Sequence, residues 1–351
     1  MRTVSMRHVP EAMAIPLAAR FKMLAHLSQA SAPELAEQHG APERVVRILA
    51  KSVGATMTTD PTGDAMTDIM VAFGLWSDSL RTRSAFFALL PDMAQAPFLK
   101  HIGINAAGAT AWMKGEGAPI PVSRVDLTGG RQLQPLTAAT IMVATEETIR
   151  DASTASLALL DRELRGAVAD VVDDEFFGRI TTTSTPQLLA FGDAAHAHED
   201  ILRLLNAVNS LGSPRLHFVT SPDVAKGAAA LYDATSGRIF PAMTPMGGEI
   251  VGVPVTVSSV LPAGTVYLID AAGIVGNRGT MDIDTSRQAS LQLTATPTTN
   301  AATPTETTQV SLWQTHSVGL KAQVVFGAHP LRDGHVAMMS GIGWSDTGSP
   351  A

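Results

Sequence analysis

The residues of this chain best suited to chemistry are His196, His198 and Asp200, in the segment HAHED. Their spacing follows a His-x-His-x-Asp pattern that some hydrolases use to bind metal. The further histidine that should follow is replaced by Ile201. On a helix, residues four positions apart share a face, so His196 and Asp200 would point together while His198 points elsewhere. We therefore expect a solvated helix surface and no metal site.

The other residues that could do chemistry are not expected to come together at one site either. The acidic run Asp173–Glu175 lies at the end of a predicted helix, where carboxylates usually face solvent, and Asp282 and Asp284 alternate on one face of a predicted strand. The sequence has no Gly-x-Ser-x-Gly motif and no phosphate loop ending in Gly-Lys-Ser/Thr. The glycine-rich GIVGNRGT precedes a strand instead of a helix, which excludes a dinucleotide cradle. We predict no catalytic residue, cofactor or metal, and expect that the protein is not an enzyme.

Composition narrows the class of protein further. At 351 residues the chain is long enough for two or more compact units. The absence of cysteine excludes disulfides, thiolate catalysis and cysteine zinc sites. Charged residues make up 16%, against about 25% in ordinary soluble chains. This low charge predicts that much of the surface is buried against partner subunits.

Charge is distributed unevenly along the chain. Residues 1–51 carry seven Lys/Arg and four Asp/Glu, a net +3, so the total of −7 leaves −10 for the remainder. Such an acidic body is a poor nucleic-acid binder, because affinity for a duplex comes mainly from cations placed against phosphates. The uncharged run 250–269 is interrupted by Pro254 and Pro262, and it predicts two strands and a turn, not a membrane span. The N-terminus lacks the apolar core of a signal peptide.

The N-terminal residues 10–53 are predicted to be helical, since apolar residues recur at three- and four-residue spacing. Residues 31–51 resemble a helix-turn-helix, with Ala36 as the small residue, Gly40 at the turn, and Val46 and Leu49 as core anchors. The alternative is a helical arm that ends at Gly40. The polar, turn-rich segment TMTTDPTGD then marks a boundary.

The segment AWMKGEGAPIPVSRVDLTGGRQLQPL, Ala111–Leu136, contains too many prolines and glycines for a helix. Its apolar residues are spaced for extended chain and predict a two-stranded ribbon with Gly129–Gly130 near its tip. A two-stranded ribbon is only marginally stable in water, so it must lie on something else. A strand at 139–144 and a helix of roughly 30 residues, about 40–45 Å long, should follow, with Thr145 as N-cap and Gly178 at the end.

The C-terminal half is predicted to mix helices and strands. We expect a helix over 193–211, a strand at 215–221 and a short helix at 223–232. Strands around 251–257 and 265–269 should be joined by the turn Pro262–Gly264. The Thr/Pro-rich segment 296–309 is predicted to be an exposed loop. Further strands should follow, one of them with Val318, Leu320, Ala322 and Val324 alternating on one face.

Five segments, in this order, resemble the major capsid protein of tailed bacteriophages, the HK-97 fold: SLRTRSAFFALLP, WMKGEGAPIPVSRVDL, LTAATIMVATEETIRDAS, SGRIF with GGEIVGVPVTVSSVLPAGTVYLID, and VSLWQTHSVGLKAQ. The resemblance covers roughly residues 65–344. It implies an α+β fold with an N-terminal arm, an extended β-hairpin loop, a peripheral domain with a long spine helix, and an axial domain. The implied ranges are 1–60 for an N-terminal helical region (helix-turn-helix-like or an assembly segment), 61–110 for the arm, 111–138 for the extended loop, 139–188 and 277–351 for the peripheral domain, and 189–276 for the axial domain.

The resemblance further implies a structural protein whose hexamers and pentamers build an icosahedral shell around double-stranded DNA, held without sequence-specific binding. Its expected place is the virion capsid, assembled in the host bacterial cytoplasm, with no membrane and with scaffold, portal and decoration proteins as partners. The extended loop would lie on a neighbouring subunit, and its expected contacts are Trp112, Glu116, Pro119, Arg124 and Arg131. Two alternatives stay open: an encapsulin-like compartment that shares the fold, and a DNA-binding regulator that uses residues 31–51.

Overall fold

The computed structural model describes residues 14–28, 30–51, 75–78, 80–107, 126–147, 154–208, 215–233, 237–292, 309–331 and 333–344. The chain divides into two compact units. The first contains residues 1–80, 137–168 and 280–325, and the second contains 81–136, 169–279 and 326–351.

The first unit begins with three helices: α1 (Ala14–Ser28), α2 (Ala32–Gln38) and α3 (Glu43–Lys51). The Ser31 side chain caps α2 by accepting a hydrogen bond from the amide of Glu34. Gly40 has a φ of 66° and ends the helix in the left-handed conformation that glycine adopts without strain. The predicted anchors Ala36 and Leu49 are fully buried, but Val45 and not Val46 is the buried valine of α3. The prediction of helices is therefore confirmed within the described residues 14–51, and one core position is Val45 instead of Val46.

A four-stranded sheet consists, in spatial order, of β1 (Ala94–Gln95), β13 (Ile274–Ser286), β16 (Ser317–Pro330) and β4 (Leu136–Thr145). Residues Val318, Leu320, Ala322 and Val324 are all buried, which confirms that they share one face. Asp282 and Asp284 are exposed on β13, as the alternation predicted. A short pair, β14 (Ser290–Leu291) and β15 (Val310–Ser311), brackets the Thr/Pro-rich segment, most of which lies outside the described residues.

The ribbon consists of β2 (His101–Ala107) and β3 (Asp126–Gln132), which pair antiparallel. The prediction that Gly129–Gly130 lie near the tip is wrong. They lie within β3, opposite a register shift between Ile102 and Ile104, and the residues between the two strands are 108–125. The glycines therefore accompany a bulge, where the backbone of one strand must accommodate an extra residue.

The second unit contains a seven-stranded sheet. Its strands are β5 (Gln187–Leu189), β6 (Leu216–Thr220), β9 (Met243–Thr244), β10 (Gly247–Ile250), β11 (Val253–Val257), β12 (Val266–Asp270) and β17 (Val336–Ser340), and their spatial order is β5-β17-β12-β6-β11-β10-β9. The predicted strands β11 and β12 are present, but they do not pair with each other. Strand β6 lies between them, parallel to β11 and antiparallel to β12. A separate hairpin joins β7 (Tyr232–Asp233) and β8 (Gly237–Arg238).

Helices cover both faces of this sheet. On one face, α6 (Ala197–Val208) and α7 (Pro222–Ala230) share a hydrophobic core with strand residues such as Phe218 and Leu268. On the other face, Tyr267 packs against Phe177 at a ring distance of 5.1 Å. Phe177 belongs to α5 (Thr154–Ile180), and the short helix α4 (Ala85–Leu89) joins this layer through ring contacts of Phe86 with Phe176 and Phe326. Burial of apolar side chains on both faces fixes the central strands.

Helix α5 is the predicted long helix, with 27 residues and thus about 40 Å of length. Its start differs from the prediction. Thr145 is the last residue of β4, Glu146 and Glu147 are helical, and residues 148–153 lie outside the described part before α5 begins at Thr154. Among the described helices, none is long and apolar enough to cross a membrane.

The hairpin between β10 and β11 contains backbone strain. Its two turn residues, Val251 and Gly252, have φ values of 52° and 74°. Positive φ at both positions is typical of a type I′ turn, which favours Asn-Gly. A β-branched residue in this conformation costs about 1–2 kcal/mol, and the exposed Val251 side chain gains little from burial.

We expect Val251→Asn to raise the free energy of unfolding by about 1 kcal/mol, because asparagine tolerates the left-handed conformation. Urea unfolding of the purified subunit measures this change. Val251→Ala is the matched control, since alanine retains the Cβ that causes the strain and should gain little. An asparagine variant that unfolds at the same urea concentration as the original chain, or lower, would show that the turn is not strained.

Candidate assembly surfaces

The base of the ribbon is fixed by close backbone packing in the second unit. Just before β2 and just after β3, the amide of Leu99 donates to the carbonyl of Leu133 at 3.0 Å. The ribbon base also crosses β16 at Gly327. A Cβ built at Gly327 would lie 2.8 Å from the Phe98 ring and 2.9 Å from the carbonyl oxygen of Gln134. Only glycine leaves room for the chain to enter and leave the ribbon at this point.

A cavity of about 360 Å³ adjoins this base, and most of the groups that line it are polar. Its lining residues are Gln132, Gln134, Leu136, Arg179, Ala328 and His329. Arg179 is held at its position by Glu175, one helical turn earlier, with an N–O distance of 2.7 Å. The cavity therefore offers polar hydrogen-bonding groups at the place where the ribbon leaves the second unit.

Of the five predicted contact residues, only Arg131 lies within the described part of the chain. Trp112, Glu116, Pro119 and Arg124 lie outside the described residues. Arg131 lies in β3, where its backbone is opposite Ile102. Their predicted role in assembly stays a prediction.

Asp173 forms a buried junction, so the prediction that its carboxylate faces solvent is wrong. Its side chain is 1% exposed and accepts four hydrogen bonds. The donors are the Ser84 hydroxyl at 2.6 Å, the amides of Ala85 at 2.9 Å and Phe86 at 3.1 Å, and the Ser258 hydroxyl at 2.8 Å. One carboxylate of α5 thereby ties together the start of α4 and the loop after β11.

The junction also completes the N-terminus of α4. The first amides of a helix have no partner within the helix. Asp173 accepts from the first two, while the Ser84 hydroxyl accepts from the third, that of Phe87, at 3.4 Å. A carboxylate near the positive end of a helix is also favoured electrostatically.

Burial raises the pKa of the Asp173 carboxyl above its ordinary value of 3.8, against the opposing effect of its four hydrogen bonds.

The burial of Asp173 could have been predicted from the sequence. Ala169, Val172 and Phe176 recur at the spacing of one helix face and are all buried. Asp173 falls on that same face, four residues after Ala169 and three before Phe176, so an acidic group there had to be buried.

A second polar contact secures the segment after α4. His217 of β6 lies 2.8 Å from the Asp92 carboxylate, between Nε2 and Oδ2. Arg215 donates to the Asp92 carbonyl at 3.0 Å. The chain is thus attached to β6 shortly after α4 ends, in addition to the Asp173 junction at the start of that helix.

The candidate metal residues do not form a common site. His196 and His198 are exposed, and the His196 Nδ1 lies 2.6 Å from an Asp193 oxygen. This contact raises the pKa of His196 and lowers that of Asp193. Asp200 is fully buried instead of solvated, and accepts hydrogen bonds from the Trp344 indole at 3.3 Å and the Phe191 amide at 3.2 Å. Within the described residues no cluster of three metal-ligating side chains exists.

Several large apolar side chains of the described residues are exposed. In the second unit, Leu189 is 70% and Met246 87% exposed. Phe191 is 51% exposed and has the Arg203 guanidinium above its ring at 4.9 Å. In the first unit, Trp313 is 64% exposed and Ile141 54%. Such side chains in water favour contact with other protein surfaces.

We expect Gly327→Ala to destabilise the chain by about 1–3 kcal/mol, because the new methyl group would overlap with Phe98 and the Gln134 carbonyl. Urea unfolding measures the effect. Gly178→Ala is the matched control, since a Cβ at that helical position meets nothing within 4 Å and alanine favours helices. Equal stability of the two variants would contradict the close packing at the ribbon base.

We expect Asp173→Ala to lower the free energy of unfolding by an amount on the order of 3 kcal/mol, because four buried donors lose their acceptor. Urea unfolding measures this loss. Asp170→Ala is the matched control, since the Asp170 carboxylate lies on the same helix with its side chain 49% exposed. A loss of the same size in both variants would contradict a special role for the buried carboxyl.

The pH dependence of the same junction follows from the raised pKa of Asp173. A carboxyl whose folded-state pKa lies above its unfolded value stabilises the fold fully below pH 3.8, and this contribution is lost as pH rises through the folded-state pKa. The stability difference between the original chain and the Asp173→Asn variant, which cannot ionise, is measured by urea unfolding at each pH. It should shrink as the pH rises above 3.8 and passes through the raised folded-state pKa. A difference that grows with pH would mean that the buried group is stabilised as the carboxylate.

Comparison with known proteins agrees with this architecture. The family model for "Phage capsid protein" matches residues 131–337. The "Capsid polyprotein" of Pseudomonas phage PAJU2 is 29% identical over 325 residues, covering 85% of this chain and 48% of that protein. The chain thus spans about half the length of this curated relative.

Solved structures share the fold at low sequence identity. A chain from Gordonia phage Cozz has a TM-score of 0.52 and 15% identity, over 74% of this chain and 86% of that one. A chain from Microbacterium phage Oxtober96 has a TM-score of 0.50 and 15% identity, over 74% and 91%. The α+β fold is the HK-97-like capsid fold that the sequence predicted. With its family model matched over more than half of its length, the chain belongs to the phage capsid protein family.

Proposed function

We propose that many copies of this chain assemble into an icosahedral shell that encloses the double-stranded DNA of a tailed bacteriophage. The observation that carries the proposal is the family match over residues 131–337, which includes β4, α5 and most of both sheets. The role is mechanical and not catalytic. The low charged fraction and the exposed apolar side chains suit large contacts between copies, in the range of about 2,000–5,000 Å² for obligate assemblies.

The proposed capsid function assigns a role to each part of the subunit. Residues 139–188 and 277–351 would form the peripheral domain, with α5 as its spine. Residues 189–276, which contain α6, α7 and most strands of the seven-stranded sheet, would form the axial domain around the symmetry axes of hexamers and pentamers. Residues 61–110 would serve as the arm and 111–138 as the extended loop.

The ribbon would complete its fold on a neighbouring copy. In the described part of the chain, β2 and β3 pair only with each other, and a two-stranded ribbon gains stability only by packing on further structure. Trp112, Glu116, Pro119, Arg124 and Arg131 are the proposed contacts. Residues 118–133 contain no lysine, so no isopeptide bond can form from a lysine in the central part of the loop.

The partners and location follow from the same role. Scaffold, portal and decoration proteins would act during assembly in the host bacterial cytoplasm, and the finished protein would reside in the virion capsid. The acidic remainder of the chain, net −10 beyond residue 51, would hold the packaged DNA weakly, because like charges repel. A genome that must later leave the shell is released more readily from such a wall.

Sedimentation velocity of the purified full-length chain tests the proposal. We expect particles many times heavier than the 36.7 kDa subunit, and these particles should yield free subunits after boiling in detergent. A sample that sediments only as 36.7 kDa monomers under all assembly conditions would contradict a shell. Detergent-resistant multimers would contradict the absence of covalent links.

Trp112→Ala should give soluble subunits but few closed particles, because the loop would lose its largest apolar anchor. Trp112→Phe is the matched control, since phenylalanine keeps a large apolar side chain at this position and should still allow closed particles. Sedimentation separates subunits from particles in both variants. Normal assembly of the Trp112 variant would remove this residue from the proposed contacts.

A further inference from the structure

Helix α1 is enclosed on more than one side within the first unit. Its buried residues, at about 100° of rotation per position, are distributed around the whole helix circumference: Ala14, Ile15, Pro16, Leu17, Ala18, Ala19, Arg20, Phe21 and Met23. A surface helix would bury only one stripe. This helix therefore has protein packed on opposite sides.

One side of α1 packs on the four-stranded sheet. Ala19 and Met23 form a hydrophobic cluster with Val318 and Leu320 of β16, all at most 2% exposed. Partly buried residues of the other strands join this cluster: Met142 and Ala144 from β4, and Ile283 from β13. Lys22 adds a hydrogen bond from its ammonium group to the carbonyl of Ile283 at 2.5 Å. The sheet thus relies on α1 to cover apolar residues of three strands.

The other side of α1 packs on α2 and α3. The rings of Phe21 and His39 lie 6.1 Å apart, and Phe21 is fully buried. Ala36, Val45 and Leu49 complete the interior of the three-helix group. The three helices are consequently joined to the sheet through α1, and they do not form a separate module with its own closed surface.

We infer that residues 14–51 are a permanent part of the capsid subunit, held by the sheet through α1, and that a chain cut within residues 52–74 would retain its N-terminal piece. The contacts with β4, β13 and β16 are made by side chains and do not depend on the covalent connection. This inference assigns the N-terminal region a role in the core of the subunit.

The test is a cut in the full-length chain. A recognition sequence for a specific protease replaces TMTTDPTGD at 56–64, and unassembled subunits are cleaved and passed over a size-exclusion column without denaturant. We expect the N-terminal piece to elute with the remainder, and to separate from it only in urea. Release of the piece in native buffer would overturn the inference, whether or not the protein forms shells.

Two variants test whether the cluster between α1 and the sheet retains the N-terminal piece. Met23→Asp places a charge against Val318 and Leu320, so the cleaved piece should be lost from the complex. Gln38→Asp adds the same charge at an exposed position of α2, and the piece should stay bound. Loss of the piece from both variants, or from neither, would show that the α1–sheet cluster does not hold the N-terminal region.

Discussion

The buried carboxyl group of Asp173 joins three separate segments of the second unit. A polar group removed from water must be compensated by hydrogen bonds, and here the partners come from two other parts of the chain. The same contacts satisfy the first amides of α4, which are otherwise unpaired. The start of α4, the middle of α5 and the loop after β11 are thereby fixed relative to one another, and α4 leads directly to the ribbon.

From this junction the chain proceeds to the β2–β3 ribbon. Its base is held by the Leu99–Leu133 hydrogen bond and by the close approach at Gly327. Beyond the base, the ribbon strands have no further strand partner within the described residues. A firmly held base and a marginally stable ribbon suit a subunit whose folding is finished by assembly. Membership of the phage capsid family gives this interpretation its physical context.

Much of the fold could be predicted from the sequence because local patterns decide it. Alternating apolar residues indicated the inner face of β16, and helical spacing indicated α1 to α3 and most of α5. Features that depend on contacts distant in sequence were missed. No local pattern reveals that β6 inserts between β11 and β12, since a turn between adjacent strands predicts a hairpin equally well. The bulge at Gly129–Gly130 was likewise mistaken for a tip, because glycine serves both turns and bulges.

For the candidate site residues too, local patterns could be predicted, while contacts distant in sequence could not. The HAHED pattern predicted a solvated helix surface, and His196 and His198 are indeed exposed, but the burial of Asp200 depends on Trp344, which is 144 positions away in the chain. Asp173 could have been placed by helix periodicity, but its partners Ser84 and Ser258 could not. The contact residues proposed from the family resemblance lie almost entirely outside the described residues and remain predictions.

Hydrogen–deuterium exchange over residues 101–132, compared between dissociated subunits and assembled particles, tests the central claim most directly. If the ribbon completes its fold on a neighbouring copy, its amides will exchange rapidly in subunits and will be protected in particles, while those of β6 and β12 will be protected in both. Equal and strong protection of the ribbon in dissociated subunits would show that it is stable on its own chain, and would contradict the account.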